Sequence, residues 1–495
     1  MKYFLTGQQM KKADIHTIDS IGIPSMVLME RAALGVVQMV EREVPQMTTV
    51  LVVCGSGNNG GDGYAIARLL HLKGYQVTLC FVGNEDKRSK ENLMQKKIAE
   101  YYHIPVKQKI EEREYSVIVD AVFGTGLSRK IEGTYAETIE LLNTMKGYKV
   151  AVDIPSGMSD DTGMPLGIAF RADLTVALGF LKRGHVMISG NPYVGKLVTA
   201  DIGIYEDAFE TKETYTYCYD MEDFKENFPK RPEQSHKGSF GKVLLIAGSK
   251  GMAGAAILCA RAAYMTGAGL VQIYTHEDNR AIIQESLPEA ILTTYRSYDN
   301  EKLQELLVWA DVVGIGCGLG MSETALQIVE HSIKHTEKPC VVDADALNLL
   351  AGNMQLLEGI RETFVLTPHM KEMARLLSCE VGVLVDNKVP YLSDFVKKYA
   401  VTCVLKDART LVAKDNEQLF LNLTGNCSMA KAGSGDVLCG IVCGILAQGA
   451  TPYDGACLGV YLHGMAGDMA MESKGKYSVL AGDIVENIGE VLKQI

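Results

Sequence analysis

Short β-rich runs alternate with helical patterns along almost the whole of this 495-residue chain. Between positions 50 and 204 the runs are VLVVCG, QVTLCFVG, YSVIVDAVFG, KVAVDIPSG, LTVALGF and KLVTADIGI. Such alternation is typical of β-α units, which build a mainly parallel, doubly wound sheet with helices on both faces. The pattern therefore predicts an α/β fold made of three-layer αβα domains.

The alternation stops once, in a charged segment with little apolar periodicity that reads EDAFETKETYTYCYDMEDFKENFPKRPEQSHKG. It then resumes in the runs GKVLLIAGS, GLVQIYT, DVVGIGCG, KPCVVDADAL, TFVLTPH and VTCVLKDARTLVA. A chain of this length is too long for one ordinary core. We therefore predict two α/β domains, at residues 1–212 and 226–495, with a linker at residues 213–225.

Composition and charge argue against several classes of protein. A formal net charge of −11 is unfavourable for a general nucleic-acid binder. The first residues, MKYFLTGQQMKKAD, lack the apolar stretch of a signal peptide. The longest charge-free run, residues 437–453, is shorter than the roughly 20 residues of a membrane-spanning helix. We expect a cytoplasmic protein with no nucleic-acid or membrane partner.

The cysteines are scattered singly through apolar segments, and no two of them form a C-x-x-C pair. Isolated thiols of this kind agree with a reducing compartment. Cys439 and Cys443 share one face of a predicted helix, but the sequence offers no obvious third ligand beside them. We therefore expect no metal site at these two thiols.

Three glycine-rich segments follow predicted strands of the first domain. They read GSGNNGGDG at 55–63, DAVFGTGLSRKIEG at 120–133 and DIPSGMSDDTG at 153–163. Ligands of open α/β sheets bind beyond the carboxyl ends of the strands, and glycines let backbone N–H groups approach an anion. Each segment alone is compatible with a simple β-to-α turn. Together, at neighbouring strand ends, they predict one shared site.

The first of these segments also satisfies the spacing G-x-G-x-x-G at Gly55, Gly57 and Gly60, which is a dinucleotide-binding fingerprint. Glu85, about 25 residues further on, fits the acidic ribose ligand of that fingerprint. A hydride-transferring dehydrogenase is therefore an alternative for this domain. Against it, the sequence shows no second catalytic module of a dehydrogenase.

The motifs NNGGDG, D-x-x-x-GTGLSR and DIPSG occur in this order within residues 1–212. In this they resemble the N-terminal domain of the NAD(P)H-hydrate repair enzymes, an epimerase that interconverts the R and S forms of hydrated NADH or NADPH. The resemblance implies a Rossmann-like domain whose substrate-binding residues are Asn58, Asn59, Gly60, Gly61, Asp62, Gly124, Thr125, Gly126, Leu127, Ser128, Arg129 and Lys130.

The same resemblance implies a catalytic residue and an ion. Asp153 would contact the altered ring of the substrate. A potassium ion would be ligated by Asn59, Asp120 and Ser156. Oxygen ligands of this kind suit a hard cation.

Residues 429–449 read MAKAGSGDVLCGIVCGILAQG, in which a G-S-G-D turn opens onto a long apolar helix. The first N–H groups of a helix that begins with glycines form a hole for an anion, which suits a phosphate in transfer. Asp436 in that turn can deprotonate a hydroxyl that attacks the phosphate. Asp is also a favoured N-cap residue, and a capping role is compatible with the catalytic one.

This turn resembles that of the ribokinase-like superfamily, whose members phosphorylate hydroxyls of small molecules. Other segments occur in the order seen in its NAD(P)H-hydrate dehydratase branch, namely HKGSFGKVLLIAGSKGMAGAAILCARAAYMTGAGLV, GIGCGLG, VVDADALN, TPHMKEMARLL and VLKDART. The resemblance covers residues 226–495 and implies a ribokinase-like C-terminal domain. Together with the first domain, it is typical of the bifunctional repair family.

The dehydratase resemblance implies two groups of site residues. The hydrated substrate would bind at Ala255, Gly318, His369 and Asp436. The nucleotide would bind at Lys406, Asp407, Ala408, Arg409, Thr410 and Gly435. Two segments depart from the family's pattern: residues 406–410 read K-D-A-R-T where K-G-A-x-T is common, and residues 370–372 read M-K-E where P-G-E is common.

The implied chemistry explains how a kinase fold can serve a dehydratase. Hydroxide is a poor leaving group, whereas a phosphorylated ring hydroxyl leaves readily and its elimination restores the ring double bond. The resemblance implies ADP as co-substrate, with Mg²⁺, giving AMP and phosphate. The expected partners are hydrated NADH (NADHX), hydrated NADPH (NADPHX) and ADP, and we expect a homo-oligomer.

A second class of function stays open at this point. The chain could be a small-molecule kinase of the hydroxymethylpyrimidine type, fused to a dinucleotide-binding module without chemistry of its own. The first domain discriminates between the two classes. A mere binding module has no need for Asn59, Asp120, Asp153 and Ser156 together.

Overall fold

The computed structural model describes residues 1–44, 48–111, 113–209 and 213–495. The chain forms two compact units, of which the first comprises residues 3–215 and the second residues 216–495 together with Met1 and Lys2. Each unit has a sheet whose central strands are parallel. The predicted α/β class is therefore confirmed.

The first unit has a parallel sheet and a short pair of parallel strands. Its strands are β1 (Lys2–Leu5), β2 (Thr49–Cys54), β3 (Gln76–Phe81), β4 (Val106–Lys107), β5 (Val117–Ala121), β6 (Tyr148–Val152), β7 (Leu174–Leu178), β8 (Leu181–Lys182) and β9 (Lys196–Ala200). Its helices are α1 (Gly7–His16), α2 (Ser25–Glu43), α3 (Asn58–Leu72), α4 (Lys90–Tyr101) and α5 (Thr134–Thr144).

The sheet of the first unit has the order β4-β3-β2-β5-β6-β7-β9 and is parallel throughout. On β2, Val50 and Val52 pack into one core cluster with residues of α2 and α3, whereas Leu51 and Val53 pack into another with residues of α5. Both faces of the strand are buried, which is why it reads as a continuous apolar run. The chain order of the strands reverses between β2 and β5, where a doubly wound sheet binds its ligand.

The second unit has the longer sheet. Its strands are β10 (Thr216–Cys218), β11 (Lys242–Ile246), β12 (Leu270–His276), β13 (Ile291–Tyr295), β14 (Val312–Ile315), β15 (Cys340–Val342), β16 (Phe364–Leu366), β17 (Thr402–Leu405), β18 (Leu411–Ala413) and β19 (Leu419–Leu421). Its helices are α6 (Met221–Asn227), α7 (Ala253–Thr266), α8 (Arg280–Ser286), α9 (Asn300–Trp309), α10 (Glu323–His335), α11 (Ala344–Gly352), α12 (Met370–Leu377), α13 (Val381–Asp386), α14 (Lys388–Tyr399), α15 (Ser434–Ala447), α16 (Pro452–Lys474) and α17 (Ala481–Leu492).

In the second unit the strands follow the order β13-β12-β11-β14-β15-β16-β17-β18-β19-β10. They are parallel from β13 to β17, and β18 is antiparallel to both of its neighbours. The run VTCVLKDARTLVA thus forms two strands, β17 and β18, with a turn at residues 406–410 between them.

Glycines explain how the apolar helix α15 packs inside the second unit. A Cβ added at Gly440 would lie 2.1 Å from the carbonyl oxygen of Cys259 on α7, and one added at Gly444 would lie 2.8 Å from that of Ala263. The two helices therefore pack backbone to backbone along this glycine face. Among the described residues, no helix combines the length and the apolar character that crossing a membrane requires.

The division between the units differs from the predicted boundaries of 1–212, 213–225 and 226–495. The predicted linker contains β10 and most of α6, which both belong to the second unit. Strand β10 pairs in parallel with β19, about 200 positions away in the chain, and so short a strand leaves no periodicity from which to predict it. Position 212, the predicted end of the first domain, lies outside the described residues.

Candidate active sites

The glycine-rich segment after β2 begins the first candidate site. Helix α3 starts at Asn58, and its N-cap is Gly57, beside which nothing would obstruct an added Cβ. At Gly60 an added Cβ would lie 2.0 Å from the carbonyl oxygen of Gly55, and at Gly61 it would lie 2.7 Å from Met29. The glycines at 60 and 61 are therefore required for close packing, while the open end of the helix at 57–58 is free to face a ligand.

Two buried side chains hold this segment in place: Asn92 of α4 and Arg88, which comes just before that helix. Asn92 donates from Nδ2 to the carbonyl oxygens of Gly55 and Gly57, at 3.0 and 2.9 Å. Arg88 donates to Asn92 Oδ1 at 2.6 Å and to Glu85 at 2.6 and 3.0 Å. The Glu85 carboxylate, which would bind ribose in the dehydrogenase alternative, is thus paired with Arg88, and this pairing lowers its pKa. The structure does not favour that alternative.

Asp120 and Ser156 meet at the carboxyl end of β5. Ser156 donates to Asp120 from its hydroxyl at 2.6 Å and from its backbone N–H at 2.8 Å, and Val122 N–H donates at 3.2 Å. The Asp120 side chain is fully buried, and no ion pair reaches it within the part of the chain that the structure describes. Burial raises the pKa of Asp120 to about 6. A buried carboxylate without a cationic partner is a suitable ligand for a metal cation.

Asn59 lies against the segment 123–124, whose Phe123 N–H donates to the Ser156 hydroxyl at 2.8 Å. Its side-chain amide is buried, and Nδ2 has no hydrogen-bond partner in the described structure. A half-turn of the amide exchanges nitrogen and oxygen, so the same space can be faced by Oδ1. A Cβ at Gly124 would lie 3.3 Å from Asn59 Cγ, which places the second glycine-rich segment directly against this side chain.

The rest of the predicted substrate segment, residues 124–130, runs outward from this point. Gly126 has φ +95° with open space beside it, and its N–H donates to Asp160 at 3.1 Å. Thr125 and Leu127 are half-buried, and the side chains from Ser128 to Lys130 are exposed. The segment thus passes from the sheet edge into solvent.

Asp153, at the carboxyl end of β6, has φ +67°, a left-handed conformation that is uncommon for residues other than glycine. Its Oδ1 accepts from Leu178 N–H at 3.0 Å and forms an ion pair with the Lys182 ammonium. Lys182 is fully buried and donates also to the Leu178 carbonyl at 2.9 Å. A strained backbone beside a buried ion pair is a common mark of a functional site.

Three groups next to Asp153 are absent from the sequence-based site: Asp14, Lys182 and His185. Burial raises the pKa of Asp14 to about 6 and lowers that of His185 to about 3. Lys182 N–H donates to His185 Nδ1 at 3.1 Å. A lysine that directly follows the apolar residues LGFL, after strand β7, is the signal in the sequence that could have indicated Lys182.

The second candidate site lies at the start of α15. The N-cap is Gly433, with φ +92°, and Asp436 is the third residue of the helix. The capping interpretation of Asp436 is therefore wrong, because glycine takes the left-handed cap position. The Asp436 side chain is half-buried; this burial and the nearby Asp343 raise its pKa to about 6.

Asp343 and Lys406 face the same end of this helix. Lys406 Nζ lies 2.6 Å from Asp343 Oδ1, which also accepts from the Thr367 hydroxyl at 2.7 Å. A Cβ at Gly435 would lie 3.5 Å from Lys406 Nζ and 3.8 Å from Asp343 Oδ2. Oxygens of Asp343 and Asp436 lie within 4.8 Å of one another. Asp343, which is absent from the predicted site residues, thus lies close to both Lys406 and Asp436.

The residues predicted to bind the hydrated substrate lie in two separate contacts, one between Ala255 and Gly318 and one between His369 and Lys406. Ala255 and Gly318 touch: a Cβ on Gly318, at φ +60°, would lie 2.9 Å from that of Ala255. His369 is the N-cap of α12, and its Nδ1 accepts from the N–H groups of Lys371 and Glu372 at 3.1 and 3.2 Å. Its backbone bridges to Lys406, so the cap stands directly beside the lysine.

The predicted nucleotide segment 406–410 is the turn between β17 and β18. Asp407 pairs with Lys388 of α14, and its backbone carbonyl accepts from the Thr410 hydroxyl at 3.0 Å. Ala408 N–H is taken by Asp407 Oδ1 at 2.8 Å. Arg409 donates to the Leu423 carbonyl at 3.0 Å. The two departures from the family's pattern, at 407 and 409, make contacts within the protein that hold the turn.

Comparison with known proteins assigns both units to families. The family model described as YjeF-related protein N-terminus matches residues 25–184, and the one described as NAD(P)H-hydrate dehydratase matches residues 243–490. The bifunctional NAD(P)H-hydrate repair enzyme of Moorella thermoacetica is 34% identical over 520 residues, covering 100% of this chain and 97% of the relative. This chain belongs to the bifunctional NAD(P)H-hydrate repair enzymes.

Other bifunctional NAD(P)H-hydrate repair enzymes match over the same extent. That of Coxiella burnetii is 34% identical, with 99% of each chain covered. That of Escherichia coli is 33% identical, with 97% of this chain and 92% of the relative covered. The family assignment thus applies to the chain as a whole and not to one unit alone.

Solved structures resemble part of this repair-family chain. A ribokinase-like superfamily protein from Enterococcus faecalis has a TM-score of 0.52 and 29% identity, covering 56% of this chain and 96% of its own. The ADP/ATP-dependent NAD(P)H-hydrate dehydratase from Bacillus subtilis, crystallised with ATP and Mg²⁺, has a TM-score of 0.50 and 28% identity, covering 56% and 98%. The predicted ribokinase-like fold is confirmed.

Two features near helix α15 were not predicted from the sequence. His463 Nε2 lies 3.3 Å from the Ser434 hydroxyl, and burial lowers the histidine pKa to about 4. The Sγ atoms of three buried cysteines also lie within 4.8 Å of one another: Cys259, Cys317 and Cys439. The structure therefore brings two thiols to Cys439 that the sequence does not place there.

Proposed function

We propose that the chain repairs hydrated NADH and NADPH, with epimerisation of the R and S forms in the first unit and nucleotide-dependent dehydration of the S form in the second. The observation that carries this proposal is the match of both units, over nearly their full length, to relatives named bifunctional NAD(P)H-hydrate repair enzymes. A kinase fused to an inert binding module is not favoured, since those relatives cover the first unit as well.

In the second unit, the base that starts the reaction is Asp436. It deprotonates the ring hydroxyl as the hydroxyl attacks a phosphoryl group of the nucleotide. Phosphate then leaves with the electrons of the carbon–oxygen bond, the neighbouring ring carbon releases a proton to solvent, and the double bond is restored. A pKa of about 6 keeps Asp436 ionised at neutral pH while leaving it close to the operating pH, where a general base is most effective.

The nucleotide binds to the turn 406–410 and to the N–H groups at the start of α15, beside Gly435. Lys406 neutralises phosphate charge there. Ala255, Gly318 and His369 hold the hydrated dinucleotide. Mg²⁺ is held in proteins by one or two carboxylates and by nucleotide phosphates. Asp343 suits it, because its Oδ2 faces the start of α15 while Oδ1 is held by Lys406.

In the first unit, the substrate lies along residues 58–62 and 124–130, with its altered ring at Asp153. Asn59, Asp120 and Ser156 would hold a potassium ion. Their buried oxygens and the unpaired carboxylate of Asp120 fit a hard cation, which supplies the positive charge that Asp120 otherwise lacks.

Potassium is expected to stabilise the first unit, and to do so more strongly at pH 8 than at pH 5. The folded state raises the pKa of Asp120 from 3.8 to about 6, so without a cation this group costs stability increasingly as pH rises through that interval, and the cost persists above it. A cation bound to the carboxylate removes the cost. Thermal unfolding in potassium and in tetramethylammonium chloride measures the difference.

The Ser156→Ala variant should reduce this potassium effect. Ser159→Ala should keep it, because Ser159 is not among the proposed ligands of the ion. Equal stabilisation by the two salts at pH 8 in the unaltered protein would contradict the ion site. Epimerisation should increase with potassium in the same concentration range.

Dehydration of hydrated NADH is expected to run much faster with ADP than with ATP, and AMP should form in step with recovered NADH. The family resemblance implies ADP as the phosphoryl donor. Recovery of the NADH absorbance, with AMP measured by chromatography, checks both points. Equal or better use of ATP would refute the choice of donor, while no recovery with either nucleotide would refute the dehydratase itself.

We also propose a cytoplasmic, homo-oligomeric protein. Eleven of the twelve cysteines are at least partly buried thiols, which suits a reducing compartment. Helix α4 exposes apolar side chains that suit a contact between copies, namely Leu93, Met94, Ile98 and Tyr101. Light scattering after size-exclusion chromatography gives the oligomeric state.

A further inference from the structure

Two buried carboxyl groups at the first site differ in their partners. Asp153 accepts from Leu178 N–H and pairs with the Lys182 ammonium, and its side chain is only 10% exposed. Asp62 is 8% exposed and sits in α3. Within the described residues, no hydrogen bond or ion pair is present at the Asp62 carboxyl. One carboxyl thus has a cation and a donor, and the other has neither.

The titratable groups that act on this pair include Lys182, Asp14, His185, Cys54 and Asp160. Lys182 lies against Asp153. Burial is the main cause that raises the pKa of Asp62 well above its usual range, followed by the charges of Asp153 and Asp14, while Lys182 acts in the opposite direction. His185, with a pKa lowered to about 3, stays neutral and adds no cation. Among these groups the one ammonium is that of Lys182, which is already paired with Asp153.

We propose that Asp62 is the general acid and Asp153 the general base of epimerisation, and that Lys182 is the positioning residue that determines which of the two carboxyls is ionised. The proposal rests on the epimerase function proposed above. Two carboxyl groups whose surroundings separate their protonation states are a recurring source of acid-base pairs.

The reaction suits such a pair. Addition of water to the enamine double bond of the dihydronicotinamide places the hydroxyl on a carbon bonded to the ring nitrogen. Asp153 takes the hydroxyl proton, the oxygen electrons form a carbonyl, and the carbon–nitrogen bond breaks. The bonding electrons go to the nitrogen, which receives the proton of Asp62. An open-chain aldehyde results, with no change in oxidation state.

Closure on the other face completes the epimerisation. The aldehyde rotates about its single bond, and the nitrogen attacks the opposite face of the carbonyl. The nitrogen returns its proton to Asp62, and the new hydroxyl takes the proton held by Asp153. Both carboxyls end in their starting states, so no co-reactant is needed.

The test measures epimerisation from pH 5 to 9 with the full-length protein in potassium buffer, starting from hydrated NADH enriched in the R form. Chromatography resolves the two epimers over time. The variants are Asp62→Asn, Lys182→Met and Lys182→Arg. The matched controls are Asp19→Asn and Lys196→Met, which alter exposed residues of the same unit. Thermal unfolding and the dehydration rate on the S form check that each variant is folded.

We expect the unaltered protein to lose activity on both sides of a pH optimum. Asp62→Asn should be about 100-fold slower, with the alkaline decline removed. Lys182→Met should slow epimerisation and change the shape of the pH profile, because the Asp153 carboxylate loses the cation that pairs with it. Lys182→Arg should restore the original profile. The controls should match the unaltered protein.

The outcomes separate this proposal from the function on which it rests. If the unaltered protein does not interconvert the epimers, the epimerase function fails. If it does, and folded Asp62→Asn keeps its rate and its alkaline decline, the acid assignment is overturned. If Lys182→Met lowers the rate equally at every pH, or Lys182→Arg fails to restore the profile, Lys182 is only structural and its assignment is overturned.

Discussion

Replacement of Asp436 by Asn is expected to lower the rate of dehydration by about 10²–10⁴-fold, the usual contribution of a general base. Asn keeps the size of the side chain at the third position of α15 but cannot accept the hydroxyl proton. Because the helix is capped by Gly433, the substitution leaves the cap intact. In the unaltered protein the rate should fall as pH drops through about 6, where Asp436 becomes protonated. Steady-state recovery of NADH with saturating ADP measures both effects.

Asp454→Asn is the matched control, since Asp454 is the third residue of helix α16 and is exposed. This control should dehydrate hydrated NADH at the unaltered rate. Binding of ADP, measured by calorimetry, should survive in Asp436→Asn. Near-normal turnover by folded Asp436→Asn would eliminate the residue as the base.

Replacement of Asp153 by Ala is expected to separate the two activities on one chain. In the proposed function the dehydratase acts on the S form, so in a mixture of both forms the R form depends on the epimerase. With excess ADP and a mixture of epimers, the variant should show an initial phase like that of the unaltered protein. A second phase should follow at the rate of spontaneous epimerisation. The measurement is the recovery of NADH followed to completion.

Asp153→Asn guards against a folding defect, because Asn tolerates the left-handed conformation that this position requires, with φ +67°. It should give the same two phases, and Asp19→Ala, at an exposed position, should give only one. If both phases slow equally, the units do not act as independent enzymes. If neither slows, the first unit is not the epimerase.

The sequence predicts the sheet-edge positions of both sites, because glycines and oxygen-bearing side chains follow apolar strands there. Asn59, Asp120 and Ser156 are predicted together, and the structure places Asp120 against Ser156 and Asn59 against Gly124. Strand patterns suffice for this, since parallel strands bring their carboxyl ends to one edge.

The partners of these residues are beyond such reasoning. Lys182 reaches Asp153 from 29 positions further along the chain, and Lys406 reaches Asp343 across 63 positions. Each pair joins residues from two different strands or strand ends that are not neighbours in a sheet. A single apolar run does not reveal that its lysine turns inward, and the pattern of α16 does not reveal that His463 meets Ser434. Tertiary packing, which no local pattern encodes, determines these contacts.

The turn between β17 and β18 has a thermodynamic consequence. Its Asp407 is held by Lys388, its Arg409 reaches the Leu423 carbonyl, and its Thr410 closes back on Asp407. A loop that is ordered before its ligand arrives loses little conformational entropy on binding. A nucleotide that binds this turn therefore loses less of its favourable interaction free energy to the ordering of the loop. Replacements at 407 and 409 would act mainly by loosening the unliganded protein, even where neither side chain touches the nucleotide.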